Sequence, residues 1–296
     1  MIPYFSAADI ARRVPPAAAV AAIESALRGP VDPAAGVPRS SVPVPAGELL
    51  LMPAASAAHA GVKIAAVAPA NPARGLPRIS AVYVLFDGPT LRPVALLDGA
   101  ALTALRTPAV SVAAIRPSLP AGPLRAVVFG AGPQGTGHIA ALSAVAQLSA
   151  VAVVVRHPDP GSGFLRAGTP EVAAALEAAD VVVCATTART PLFDSALLRD
   201  TAAVIAVGSH EPDAREVDAA LCARAAVVVE DPATALRECG DVILAVAEGA
   251  LSPTDLIPMR TAVRSAARPG NGIVLFKGSG MAWQDLVVAE AVAAAA

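Results

Sequence analysis

Six residues, Gly130-Ala131-Gly132-Pro133-Gln134-Gly135, spell a complete G-x-G-x-x-G. The run RAVVF before them has strand character and the Ala-rich stretch 136–148 after them reads as a helix, the setting that a dinucleotide-binding fingerprint requires. In that setting Gly130 permits the tight turn, Gly132 lets the backbone approach a pyrophosphate and Gly135 lets the helix pack on the strand. Pro133 and Gln134 complete a cofactor loop whose helix N-terminus offers free N–H groups to phosphate. An acidic residue about 20 positions further on would accept from a ribose 2′-hydroxyl. Arg156 stands at that distance, followed by His157. A guanidinium can fork onto a 2′-phosphate, which favours NADPH over NADH.

Other candidates are single residues in unusual settings. Arg39 follows a proline turn, Lys63 interrupts the apolar GVKIAAVA, Arg74 sits in NPARGLP and Arg106 in LTALRTPAV. Taken alone, such a lysine reads as the guard of a strand edge and such an arginine as a solvated side chain. His138 falls in the first turn of the cofactor helix, where a structural or phosphate-proximal role is expected. Cys184, Cys222 and Cys239 show no paired-ligand spacing, so they read as buried thiols, and no His/Cys/Asp cluster predicts a metal.

The elements that must position these residues fall into two groups. From Arg125 onward, Val-rich runs at 126–129, 151–155, 181–185, 204–207, 227–229 and 242–246 alternate with Ala-rich helical stretches. Continuous apolar strands between helices predict an α/β fold, a Rossmann-type doubly wound parallel sheet that binds ligands beyond its carboxyl ends. The Pro- and Gly-rich residues 157–179 leave room for one helix, over 171–179, and no full third strand, which predicts a shallow adenine side. Before residue 117 the chain reads as an α+β unit. A helix is expected over 6–28, strands over 48–52, 61–67 and 79–86, and a further helix over 102–115. Two domains are therefore expected, 1–116 and 117–280, with a helix over 281–296 as a candidate to return to the first.

A length of 296 residues suits about two domains. A net charge of −2 gives no electrostatic footprint for nucleic acid. With 55% hydrophobic and 16% charged residues the chain can bury a large core, and 3% aromatics argue against stacking surfaces. Mean hydropathy is +0.60, but the uncharged stretch 139–155 is short for a membrane span and divides into helix and strand. No signal peptide is evident, and the cysteine usage suits the cytoplasm.

Together these segments resemble the ornithine cyclodeaminase/mu-crystallin family. The matching stretches are PRSSVPV, LLMPA, GVKIAAVAPANPARGLP, LLDGAALTALRTPAV, VVFGAGPQGTGHIAAL, ADVVVCATT, AVGSHEPDAREVD, ECGDVILAVAE and VLFKGSGMAWQDLVVA, in the family's order over nearly the whole chain. The resemblance implies an NAD(P)-dependent homodimer that pairs through its N-terminal sheets, with substrate and dimerisation functions in 1–116. It implies that Arg39, Lys63 and Arg106 hold a substrate α-carboxylate, for which arginine offers a bidentate fork. Thr107 matches a residue near the nicotinamide, Thr186 a nucleotide contact, Gly278 a ligand-facing position and Glu248 an acid near the pocket.

The departures are informative. True cyclodeaminases carry an Asp in a G-x-D-x-P setting and a Glu immediately before LMP. Here Gly208-Ser209-His210-Glu211-Pro212 puts His210 in the Asp place, and Leu50 precedes Leu51-Met52-Pro53, with Glu48 offset by two residues. Cyclisation of a diamine is disfavoured without those carboxylates. The expectation is NAD(P)H-dependent reduction of a cyclic 2-imino carboxylate such as Δ1-pyrroline-2-carboxylate, with catalytic residues His210 and Lys63. A histidine, with its ordinary pKa of about 6.5, is suited to protonate the imine nitrogen; the alternative for His210 is a pocket wall. Other functions left open are an amino-acid dehydrogenase using ammonia, a cyclodeaminase-like deaminating cyclisation, and a mu-crystallin-like NADPH-dependent binder without turnover. The expected partner is a small amino or imino acid, with neither nucleic acid nor membrane.

Overall fold

The computed structural model describes residues 2–295, which form two units. Residues up to Val110, joined by those from Gly280 onward, make the first; Ser111–Ser279 make the second.

The first unit contains β1 (Tyr4–Phe5), α1 (Ala7–Arg13), α2 (Pro16–Arg28), β2 (Ser40–Val44), β3 (Gly47–Ala55), β4 (His59–Val67), β5 (Ile79–Asp87), β6 (Pro93–Asp98) and most of α3 (Gly99–Ile115). The single helix expected over 6–28 is two helices. Ser6 and Asp9 close a capping box on α1, and Pro15 then interrupts the chain, since proline lacks the N–H donor and disfavours helical backbone before it. The sheet order is β1-β6-β5-β4-β3-β2, antiparallel except for the parallel β1–β6 pair. Side chains alternate between its faces. Met52, Lys63, Tyr83 and Leu97 lie in register on a buried face, against which the C-terminal helix packs together with α2. The opposite face carries Leu51, Val62, Ile64, Val82, Val84 and Leu96, all half-buried.

The second unit contains β7 (Leu124–Phe129), α4 (Pro133–Val145), β8 (Leu148–Val155), β9 (Leu165–Arg166), α5 (Pro170–Glu177), β10 (Val181–Cys184), β11 (Ala203–Ala206), α6 (Ala219–Arg224), β12 (Ala226–Val229), α7 (Pro232–Glu238), α8 (Gly240–Ala247), β13 (Ile257–Pro258), α9 (Met259–Ser265) and β14 (Val274–Lys277). The chain ends in α10 (Ala282–Ala294), which belongs to the first unit. The eight strands are all parallel, in the order β13-β12-β14-β11-β10-β7-β8-β9. Strand order reverses between β7 and β10, the switch point where such sheets take ligands. β10, β11 and β14 are buried throughout, which explains their continuous apolar runs.

One strand expectation fails. Residues 242–246 lie in α8, with Val242 and Ala245 buried one turn apart. A short apolar run carries no period of its own, and the strand that fills the sheet is β14, formed by VLFK. β9 has only two residues, in keeping with the short 157–179 segment. No helix among the described residues is long and apolar enough to cross a membrane.

Candidate active site

The glycine loop turns between β7 and α4. Gly130 has φ +104°, and a Cβ there would stand 2.5 Å from the carbonyl oxygen of Ala185; one on Gly135 would stand 2.0 Å from that of Gly130. A Cβ on Gly132 would meet nothing within 4 Å. Two glycines therefore allow close packing, while the middle one faces open space. Gly132 caps α4 without a side-chain hydrogen bond, Pro133 opens the helix, and the buried Gln134 Oε1 has no hydrogen-bond partner among the described residues. Uncapped helical amides fit an anionic dinucleotide. His138, one turn on, is fully buried between the Gln134 carbonyl (2.7 Å) and Ser111 Oγ (2.9 Å), and burial holds its pKa down to about 4. It is a neutral packing residue.

Buried charges brace the carboxyl ends of β10, β11 and β14. Thr186, just beyond β10, donates to Glu216 Oε1 from both its amide (2.8 Å) and its hydroxyl (2.7 Å), and the Gly208 amide donates to Oε2 (2.7 Å). Lys277, fully buried at the end of β14, lies 3.0 Å from Asp241 Oδ2 and donates to the Ser209 carbonyl (2.6 Å). Asp241 Oδ1 accepts from the amides of Glu216 and Val217. Burial pushes the Glu216 carboxyl up, against the pull of Lys277 and the three donors. Burial also opposes charge on Lys277, but Asp241 and Glu216 outweigh it and its pKa rises. The exposed His210 follows Ser209, and Arg189 reaches across to Glu211 and Asp213 in the same loop. Gly278 follows Lys277, where a Cβ would press to 3.2 Å from Glu230 Oε1. Arg156 and His157 are exposed at the end of β8, and Glu248 pairs with Arg215 (2.8 Å). Thus the glycine loop, Arg156, His157, Thr186, His210 and Gly278 all follow carboxyl ends of neighbouring parallel strands.

In the first unit Lys63 projects from mid-β4 onto the buried sheet face, 3% exposed. Its Nζ donates to both carboxylate oxygens of Asp285 (3.0 and 2.9 Å) and to Thr103 Oγ1 (3.1 Å). Arg106, on α3, donates from Nε to Asp285 Oδ1 (3.2 Å) and from Nη1 to Gln284 Oε1 (2.6 Å). Arg39 is half-buried and close enough to act on Lys63 electrostatically. Burial drives the Lys63 pKa down to about 8; Asp285 opposes the fall, while Arg106 and Arg39 add to it. Lys63 and Arg106 thus share one carboxylate, two cations on one anion. Thr107 follows Arg106, half-buried, and the exposed Arg74 lies in a short helical turn. Leu50 lies on the same sheet face as Lys63, and Glu48 is engaged by Ser41 of β2.

Sequence reasoning missed Asp285, Gln284, Glu216, Asp241 and Lys277. The available signal was the one that picked out Lys63, a charged or polar residue interrupting an apolar run: AWQDLVVA, CGDVIL and VLFK all contain it.

A parallel sheet with a glycine loop at its switch point defines a dinucleotide-binding class of fold. The chain belongs to the ornithine cyclodeaminase/mu-crystallin family, whose sequence profile matches residues 6–296. It is 33% identical over 257 residues to the Δ1-pyrroline-2-carboxylate/Δ1-piperideine-2-carboxylate reductase of Azospirillum brasilense, covering 82% of this chain and 81% of that one. The structure of the Thermococcus litoralis Δ1-pyrroline-2-carboxylate reductase in complex with NADH and L-proline superposes with a TM-score of 0.87 at 26% identity, covering 98% of this chain and 96% of that one. The iminosuccinate reductase of Paracoccus denitrificans in complex with NAD+ superposes with a TM-score of 0.85 at 26% identity, covering 98% and 95%.

Proposed function

We propose that this chain reduces a cyclic 2-imino carboxylate, Δ1-pyrroline-2-carboxylate or its six-membered homologue, to the cyclic amino acid with a reduced nicotinamide dinucleotide. The observation that carries this reading is the buried pair of cations, Lys63 and Arg106, on the one carboxylate of Asp285, with Arg39 close enough to act on Lys63. A carboxylate completes that cluster's charge, and the arginine forks fix its plane. Bound at the glycine loop, the cofactor supplies a hydride for C2 of the imine; Thr107, Thr186 and Gly278 are further contacts in this reading. The nitrogen gains a proton, for which His210 and Lys63 are the donors, Lys63 because a pKa of about 8 leaves it charged at neutral pH yet ready to release. Holding the reacting groups in one geometry contributes several kcal/mol of barrier reduction.

Arg156 and His157, with no acid in the strand-end position, favour NADPH as cofactor. Leu50 on the face of Lys63 argues against the diamine chemistry of cyclodeaminases. The half-buried apolar face of the first unit's sheet suits pairing with a second copy, giving a homodimer. The buried thiols fit the reducing cytoplasm. The test is absorbance decay of NADPH, with NADH in parallel, on adding Δ1-pyrroline-2-carboxylate or a 2-oxo acid with ammonia. Decay with the imino acid and no ammonia is expected. Decay only with oxo acid plus ammonia makes the chain an amino-acid dehydrogenase, and saturable NADPH binding without any decay makes it a binder.

A further inference from the structure

Arg39 precedes β2, Lys63 sits in β4 and Arg106 on α3, so no local backbone pattern makes them converge. One short segment at the start of α10 touches all three. Arg39 Nη2 donates to the Gly280 carbonyl (3.0 Å), Arg106 to Gln284 and Asp285, and Lys63 to both oxygens of Asp285. Gly280 has φ +86°, and a Cβ there would stand 2.8 Å from Arg106 Nη1. The backbone therefore runs directly against the guanidinium, an approach open only to glycine. Asp285 is fully buried, and a carboxylate in that position is tolerated only with charged partners.

We propose that Asp285 is the positioning residue of the carboxylate-binding site, holding Lys63 and Arg106 convergent and keeping Lys63 protonated for an incoming anion. This rests on the reading that the three cations bind the substrate carboxylate. The groups facing Lys63 are Asp285 from α10, Arg106 and Thr103 from α3, Arg39 from the segment before β2, and Tyr83, its register partner on β5. Of these only Asp285 supports charge on the lysine. Neutralising it lets burial and the two guanidinium groups strip the lysine of its proton near neutral pH.

The experiment compares Asp285→Asn, Asp285→Glu and Arg106→Met with the wild-type chain in steady-state reduction of Δ1-pyrroline-2-carboxylate across neutral and alkaline pH. NADPH binding by fluorescence and thermal unfolding are measured beside it. Asp285→Asn is expected to raise KM for the imino acid and to move the alkaline limb of kcat/KM to lower pH by about one unit or more, with NADPH affinity unchanged. Asp285→Glu keeps the charge but displaces it, so the limb stays in place while KM rises. The substrate's own titration is common to all variants, so a displacement between them reports the protein. A folded Asp285→Asn with the wild-type limb overturns the proposal. Should Asn not fold, Asp285→Glu with wild-type KM overturns it. Arg106→Met separates the two ideas: if it leaves KM unchanged the carboxylate reading itself fails, whereas a raised KM there with a silent Asp285→Asn removes only the role of Asp285.

Discussion

Each unit buries a lysine against an aspartate at about 3 Å, and the two lysines respond in opposite directions. Lys63 falls to about 8, while Lys277 rises. The difference lies in the company. Around Lys63 the guanidinium of Arg106 shares the carboxylate of Asp285, and that of Arg39 adds its own repulsion; around Lys277 two carboxylates, Asp241 and Glu216, face one ammonium. Lys277 is neutralised from within, ion-paired with Asp241 and donating to a loop carbonyl, and so it braces structure. Lys63 sits in a cluster that is short of negative charge. Burial with pairing is therefore not the mark of function; the sign of the surplus is.

The largest test of this contrast is Lys277→Met. It leaves Asp241 and Glu216 buried together without a cation, so unfolding free energy in urea should fall by about 3–5 kcal/mol. A variant as stable as the parent breaks the comparison. Lys63→Met should do the reverse, because Arg106 still covers Asp285. Its unfolding midpoint moves little, whereas kcat/KM for Δ1-pyrroline-2-carboxylate falls by the equivalent of about 2–5 kcal/mol.

His138 sharpens the rule, being buried with no charged partner. Its folded pKa of about 4 lies below the ordinary histidine value of 6.5, so acid protonates the unfolded chain first. Stability is then intact above 6.5 and declines toward 4 by about 1.4 kcal/mol per pH unit from this residue. His138→Gln should flatten that slope in equilibrium unfolding. The smallest effect is in the wild-type chain itself. As pH climbs through about 8, Lys63 loses its proton, so kcat/KM for the imino acid should fall by about tenfold per unit at most.

The glycine loop was legible because its demands are local: a positive φ, two close approaches and an open middle position fall within six residues. The central strands were legible because burial on both faces leaves uninterrupted Val, Ile and Ala. The helix break was carried by Pro15 and needed only that residue to be weighed. Residues 242–246 misled because five apolar residues fit a strand or a helix equally, and the partners of Val242 and Ala245 decide the matter. β14 was hidden by its length of four residues and its closing lysine. Arg39, Lys63 and Arg106 stood out through resemblance, but Asp285 had no local sign of its role, since its partner Lys63 lies 222 residues away. A contact of that reach is written in the tertiary fold alone.

That reach also sets an order of events during synthesis. The second unit is one continuous stretch, Ser111–Ser279, while the first needs both its own strands and α10. At a translation rate of about 5–20 residues per second, Lys63 leaves the ribosome on the order of ten seconds or more before Asp285 is made. During that interval the inner face of β4 lacks both its covering helix and the anion that makes its lysine tolerable in the dry. The middle of the chain is free to fold while its beginning waits for its end. Released chains ending at Ser279 should accordingly be cut by protease within β3–β5 and resist it over Ser111–Ser279.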